Sequence, residues 1–260
     1  MISPTYNSFS LQDTNYITSE VNYRTTPKRD IVLETIARKP GRKILSTEFG
    51  PREISLSGFI LGTDVTDLKT RVDNFNSNVT QDTMGTLILE TGREIQAIVD
   101  QVNIPDPFYT QAMVPFSVKF VCPDPFFYGA QQTATTTVTS GSTQPRTQTI
   151  TTTISGTIFA EPVIAYNAPG TTGNTTTSGI ILEYEPTGQT TTWSGGGDTL
   201  SYGNFVRFDY ENQLILEGST EIEAGGVFPR WEPGSTSFTM TFSGGVQGGT
   251  VDLIYRPRYL

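Results

Sequence analysis

Apolar side chains recur at every second position through most of this chain, and that period of two constrains the fold more than any other feature. In residues 52–60, Ile54, Leu56, Gly58 and Ile60 fall on one face of an extended segment. In residues 113–122 the series ends on Phe116, Val118, Phe120 and Cys122, and in residues 237–244 Phe238, Met240 and Phe242 alternate with Thr239 and Thr241. Such alternation specifies half-buried β-strands. Residues 86–101 predict a hairpin, with Leu87 and Leu89 before Thr91-Gly92 and Ile95, Ala97 and Val99 after it. One segment breaks the rule. In residues 63–79, Val65, Leu68, Val72, Phe75 and Val79 follow steps of three and four, the stripe of a single amphipathic helix. Thr63 or Asp64 can cap it, and Asp67 lies in its first turn.

The fold class is therefore mainly β. An N-terminal β-rich domain with one helix spans residues 1–130. A Thr-rich stretch at 131–157 reads as an extended linker with strand character, or as an extended strand able to pair at a sheet edge. A C-terminal antiparallel β-sandwich spans 158–260, with strands expected at 161–167, 179–185, 204–210, 213–218, 237–244 and 250–256. Charged residues are only 17% of the chain, but 15 Phe, 11 Tyr and two Trp supply enough apolar bulk to argue for packed cores over disorder.

The composition excludes several functions. There is no histidine, so Ser-His-Asp and Cys-His nucleophile systems and His-dependent zinc sites are absent. The one cysteine, Cys122, lies on an apolar alternation and reads as a buried side chain. No phosphate loop or dinucleotide fingerprint occurs; 194–198 is glycine-rich but carries no lysine. Neither a catalytic residue, a cofactor nor a metal site is expected. A net charge of −9 without a basic cluster of the nucleic-acid kind argues against sequence-specific nucleic-acid binding. No signal peptide and no membrane span are expected. Carboxylate pairs remain at Glu183/Glu185, Asp209/Glu211 and Glu221/Glu223; as solvated same-face charges they need no catalytic role.

Two candidate sites stand out. The densest basic run, Arg38, Lys39, Arg42 and Lys43, lies in an extended segment suited to be an inter-subunit arm, the alternative being a solvated loop. Trp193, in a polar setting, is a candidate for stacking on a glycan, which would make the C-terminal half a carbohydrate-binding module; the alternative is a ring folded back over the sandwich end.

Residues 226–234, Gly-Val-Phe-Pro-Arg-Trp-Glu-Pro-Gly, lead into an alternating strand, and 122–129 read Cys-Pro-Asp-Pro-Phe-Phe-Tyr-Gly. Together with the strand, Gly-apolar turn and helix of 52–79, these resemble motifs of the distal tail proteins of long-tailed, non-contractile bacteriophages. Ser235 stands where that family commonly has Asn. The resemblance implies a galectin-like C-terminal sandwich and a structural role. It implies a homo-oligomeric ring, typically a hexamer, at the distal end of the virion's tail. The ring's partners would be the major tail tube protein, the tail-tip hub or tail-associated lysin, and a receptor-binding protein, and DNA would pass through its lumen. Synthesis would be in the host cytoplasm. Acidic charge facing that lumen would repel DNA phosphates. On this reading residues 226–234 are a structural corner, with Trp231 plugging the end of the sandwich core.

Overall fold

The computed structural model describes residues 3–35, 40–105, 112–139, 146–169, 177–195, 200, 203–223, 225–244 and 248–260. Two compact units divide the chain, the first running to Tyr128 and the second from Gly129 to Tyr259.

The first unit contains β1 (Thr5–Tyr6), β2 (Phe9–Ser10), β3 (Tyr16–Asn22), β4 (Arg29–Thr35), β5 (Arg42–Phe49), β6 (Arg52–Leu61), α1 (Val65–Val79), β7 (Gly85–Glu90), β8 (Arg93–Asn103), β9 (Met113–Cys122) and β10 (Phe127–Tyr128). Its sheet runs β2-β1-β7-β8-β9-β6-β3, with every neighbouring pair antiparallel. The expected hairpin forms β7 and β8, and Gly92 takes φ 80° in its turn, a value that favours glycine. β8 is long enough to serve two partners. Its first half pairs with β7 and its second half with β9.

The helix covers the inner face of this sheet. Leu68, Phe75 and Val79 are its buried residues, and Phe75 packs on Phe116 at 4.8 Å between ring centroids. Asp64 is the N-cap; its carboxylate accepts from Thr66 N (2.8 Å) and Asp67 N (2.9 Å). Asp67 in turn accepts from Thr63 N at 2.7 Å and pairs with Arg71 at 2.8 Å. The Thr63 amide, followed by the Arg71 guanidinium, holds the Asp67 carboxyl below its usual range. Its contribution to stability is present above the ordinary carboxylate pKa and is lost as pH falls through the depressed one. Asp64→Ala removes the acceptor for two amides and is expected to cost about 1 kcal/mol, read as a shift in the urea midpoint without a change in slope.

Gly58 is the tightest point of the sheet. A Cβ there would lie 2.0 Å from the Ile17 carbonyl oxygen and 2.9 Å from the Phe116 ring. The nearer atom is backbone, so β3 must move to admit it. β3 already carries a bulge between Thr18 and Glu20 opposite this point. Gly58→Ala is expected to destabilise the first unit by roughly 2–3 kcal/mol, as overpacking does. Thermal unfolding measures this, and an unchanged midpoint would show that β3 shifts freely.

The second unit contains β11 (Gln132–Thr137), β12 (Arg146–Ile154), β13 (Val163–Asn167), β14 (Gly179–Tyr184), β15 (Gln189–Ser194), β16 (Phe205–Asp209), β17 (Leu214–Glu217), β18 (Thr220–Ile222), β19 (Gly225–Gly226), β20 (Gly234–Ser243), β21 (Thr250–Tyr255) and β22 (Arg258–Tyr259). Two antiparallel sheets face each other, β11-β21-β13-β16-β17-β18 and β12-β20-β14-β15-β19. Ile164, Tyr166, Phe208 and Leu253 from the first sheet meet Ile180, Leu182, Phe238 and Phe242 from the second in one core. This is the mainly β architecture with one helix and a C-terminal sandwich that the alternation predicts.

Of the two readings open for the Thr-rich stretch at 131–157, its described residues take the strand, as two edge strands of the second unit. β11 pairs along its whole length with β21, and β12 pairs with β20 over nine residues. Val138, Ile150 and Ile154 enter the sandwich core. Each strand lies at a sheet edge, where a few inward apolar residues suffice and threonine suits the exposed face.

Candidate functional site

Among the described residues, β4 and β5 pair only with each other, as a two-stranded sheet apart from the rest. Nearly every residue of this hairpin is exposed, including Ile31 (51%), Leu33 (46%) and Ile44 (58%). Eight residues at a strand's rise of ~3.4 Å make it an arm roughly 27 Å long.

The register divides the arm into two unlike faces. Directly opposed residues share a face, and the pairs Arg29–Phe49, Ile31–Thr47, Leu33–Ile44 and Thr35–Arg42 lie on one. That face is apolar, with an arginine at each end and no acid. The other face carries Asp30–Glu48, Val32–Ser46 and Glu34–Lys43, with three acids and one lysine. Leu45 is the extra residue of a bulge between the Val32 and Leu33 pairs.

The root of the arm is held firmly. Arg29 lies over the Phe49 ring at 4.8 Å, and Phe49 packs on Phe126 at 5.4 Å. Gly50 N donates to Lys28 O at 2.8 Å. The next strand begins with Arg52, which is 2% exposed. Its Nη1 donates to Tyr23 O at 3.1 Å and its guanidinium lies 4.8 Å from the Phe127 ring centroid. Burial lowers its pKa. This cation braced by an aromatic ring fixes where the arm leaves the sheet.

These positions redraw the candidate basic cluster. Arg42 and Lys43 lie on opposite faces of the arm, with Lys43 across from Glu34. Arg38 and Lys39 lie outside the described residues. The sequence reading missed the apolar face, whose signal is the alternation Ile31, Leu33 and its cross-strand partner Ile44.

A second open surface is the outer face of the sheet formed by β3, β6, β9 and β8, opposite α1. One end is apolar. Ile17, Phe59 and Pro115 form a row across three strands, and Leu61 and Met113 form the next. Ile17 is 37% and Met113 43% exposed. Pro115 is accommodated because the β8 ladder ends at Ser117, so no β8 neighbour needs its missing amide. The remainder is polar. Glu20, Ser57, Ser117 and Asn103 form the next row, and Asn22, Ser55, Lys119 and Gln101 the one after. Lys119 is already paired with Glu53 at 3.2 Å and Asp100 at 3.5 Å. This polar part is a shallow depression of about 450 Å³.

In the second unit, Trp193 takes the second of its two readings, a ring folded into the sandwich, and offers no stacking face to a glycan. It is 1% exposed and belongs to the sandwich core. It lies on β15, where Thr191 and Trp193 point inward together. The Thr191 hydroxyl is accommodated by donating to Val227 O at 2.6 Å. Trp231 is fully buried, stacked on Tyr184 at 4.8 Å and 26°. The peptide groups of Trp231 and Ala160 exchange two hydrogen bonds, 2.9 and 2.8 Å. Gly234 (φ 114°) then opens β20. Residues 226–234 thus form the corner that the two prolines and the glycine suggested.

The carboxylate pairs are occupied structurally where their partners are seen. Glu185 accepts from the Thr239 hydroxyl. Asp209 receives Asn212 N at 3.0 Å and Nδ2 at 3.1 Å, capping the β16–β17 turn. Glu211 lies 3.6 Å from Arg258. Cys122 is buried, and burial pushes its thiol up to about 12, the opposite of an activated nucleophile. Among the described residues no group of His, Cys, Asp and Glu is arranged to hold a metal, and no helix is long and apolar enough to cross a membrane.

Residues 3–122 match the family described as phage tail protein RIFT-related domain. No curated protein matches the chain. Among solved structures, the chain is similar to the SPP1 Dit (gp 19.1) protein, described as a paradigm of the hub adsorption apparatus in Gram-positive infecting phages. That similarity has a TM-score of 0.70 at 16% identity and covers 100% of both chains. A chain of the phage p2 baseplate in its activated conformation, solved with Sr, aligns over 98% of both chains at 9% identity with a TM-score of 0.47. Residues 3–122 of this protein are thus similar to a phage tail RIFT-related domain, and the chain as a whole has the fold of SPP1 Dit.

Proposed function

We propose that this protein is a structural component of a bacteriophage tail tip, without catalytic activity. It assembles as a homo-oligomeric ring, six-membered as in the family it resembles, at the distal end of the tail tube. The observation that carries this reading is the exposed, two-faced arm rooted on a phage tail RIFT-related domain. An isolated two-stranded ribbon is marginal in water, and an exposed apolar stripe along it needs a cover. The full-length likeness to a protein described as hub adsorption apparatus supports the same reading. The ring joins the tail tube protein above to the hub or lysin below and carries or contacts a receptor-binding protein. Its acidic balance keeps DNA from adhering as it passes.

Negative-stain electron microscopy of the purified chain over a range of concentrations tests the reading. Class averages are expected to show rings with a central channel and to give the subunit number. Monomers at every concentration, and no ring added to isolated tail tubes, would abolish it.

A further inference from the structure

The geometry points to a specific seat for the arm: the apolar face of β4–β5 from one copy lies on the apolar rows of the outer sheet face of the next copy. This inference rests on the ring reading and names the surfaces that make the ring. Each chain carries two open apolar surfaces, Ile31–Leu33–Ile44 on the arm and Ile17–Phe59–Pro115 with Leu61–Met113 on the sheet. Neither is covered among the described residues of its own copy. Two different patches on one chain, complementary to each other, generate a heterologous, head-to-tail contact, which forms a ring where its rotation closes.

Charge sets the direction. The arm's apolar face bears Arg29 and Arg42 and no acid. The sheet's outer face bears Glu20, Glu53 and Asp100 against a single cation, Lys119, which Glu53 and Asp100 already engage. Glu20 therefore keeps its charge for a partner. The spacing agrees as well. Arg42 is the next same-face residue after Ile44, and Glu20 is the next same-face residue after Ile17. On each surface the charge stands about 7 Å from the apolar group, one same-face step along a strand. Seating Ile44 on the Ile17–Phe59 row brings Arg42 to Glu20. The arm's acidic face, with Asp30, Glu34 and Glu48, then remains turned away from the acidic sheet.

Two experiments on the full chain test this. In the first, Ile44→Cys and Ile17→Cys are combined in a Cys122→Ser background and the protein is oxidised. The pair is expected to give a ladder of disulfide-linked oligomers ending at the ring's subunit number, whereas either cysteine alone gives nothing beyond a dimer. The second uses no cysteine and only surface positions. Arg42→Glu alone and Glu20→Lys alone are each expected to weaken self-association on the order of tenfold by light scattering, and the two together to restore it. Unchanged folding of each variant is read from its melting curve. Parent rings that yield no ladder and no restoration overturn the seat while leaving the ring reading intact. A parent chain that never self-associates overturns both.

Discussion

Replacing Trp231 with alanine is expected to cost the second unit about 3–5 kcal/mol, the range for deleting a large buried aromatic side chain. A domain's whole stability is of order 5–15 kcal/mol, so such a loss leaves the sandwich marginal at best. Trp231 is fully buried and contacts three rings, Tyr184 at 4.8 Å, Phe238 at 5.2 Å and Tyr210 at 5.9 Å, with Tyr210 itself against Phe228. Its backbone is also tied to Ala160, and the amide after it donates to the Tyr184 hydroxyl at 3.1 Å. Removing the indole thus opens a cavity that this braced corner cannot collapse to fill. The indole Nε1 makes no hydrogen bond, so Trp231→Phe loses packing but strands no partner and is expected to cost well under half as much. Both tryptophans of the chain lie in the second unit, so Trp193 fluorescence reports its unfolding selectively in these variants. A urea midpoint for Trp231→Ala within about 1 kcal/mol of the parent would remove the plug from the account of this fold.

The parts of this structure that the sequence made legible are those where one period runs cleanly. The helix start is readable from Asp64 and the stripe from Leu68 to Val79, because capping and amphipathicity act within a few residues. The β7–β8 hairpin is readable from Thr91-Gly92 between two alternations. What was hidden depends on distant partners. Thr191 looks like a loop residue until its hydroxyl is seen bonded to the Val227 carbonyl, 36 residues away, which lets a polar residue share an inward face with Trp193. For the edge strands at 132–137 and 146–154, threonine's strand propensity leaves linker and strand both open, and pairing with a distant neighbour decides between them. On the arm, the dense charge at 38–43 draws attention to itself, while the functional contrast between faces depends on cross-strand register and on a bulge that no local pattern announces.

That contrast leads to the prediction with the largest effect on assembly. Changing Ile31, Leu33 and Ile44 together to serine is expected to abolish self-association while leaving the melting curve of the monomer nearly unchanged. All three side chains are about half exposed in the single chain, so folding gains little from them. Covered by a neighbour, each contributes roughly 1.5 kcal/mol, and their joint loss weakens each contact on the order of a thousandfold. A closed ring depends on every one of its contacts, so the effect on assembly is steeper than on any one of them. The acidic face supplies the control. Glu34→Gln with Glu48→Gln changes the same hairpin on its other side and is expected to leave assembly intact. Sedimentation velocity across a concentration series separates the cases. Rings formed by the triple serine variant at parental concentrations would mean that the arm's apolar face stays in solvent. Loss of assembly in the glutamine variant alone would place the contact on the opposite face of the ribbon, because opposed residues of a β-ladder cannot present both faces to one flat partner.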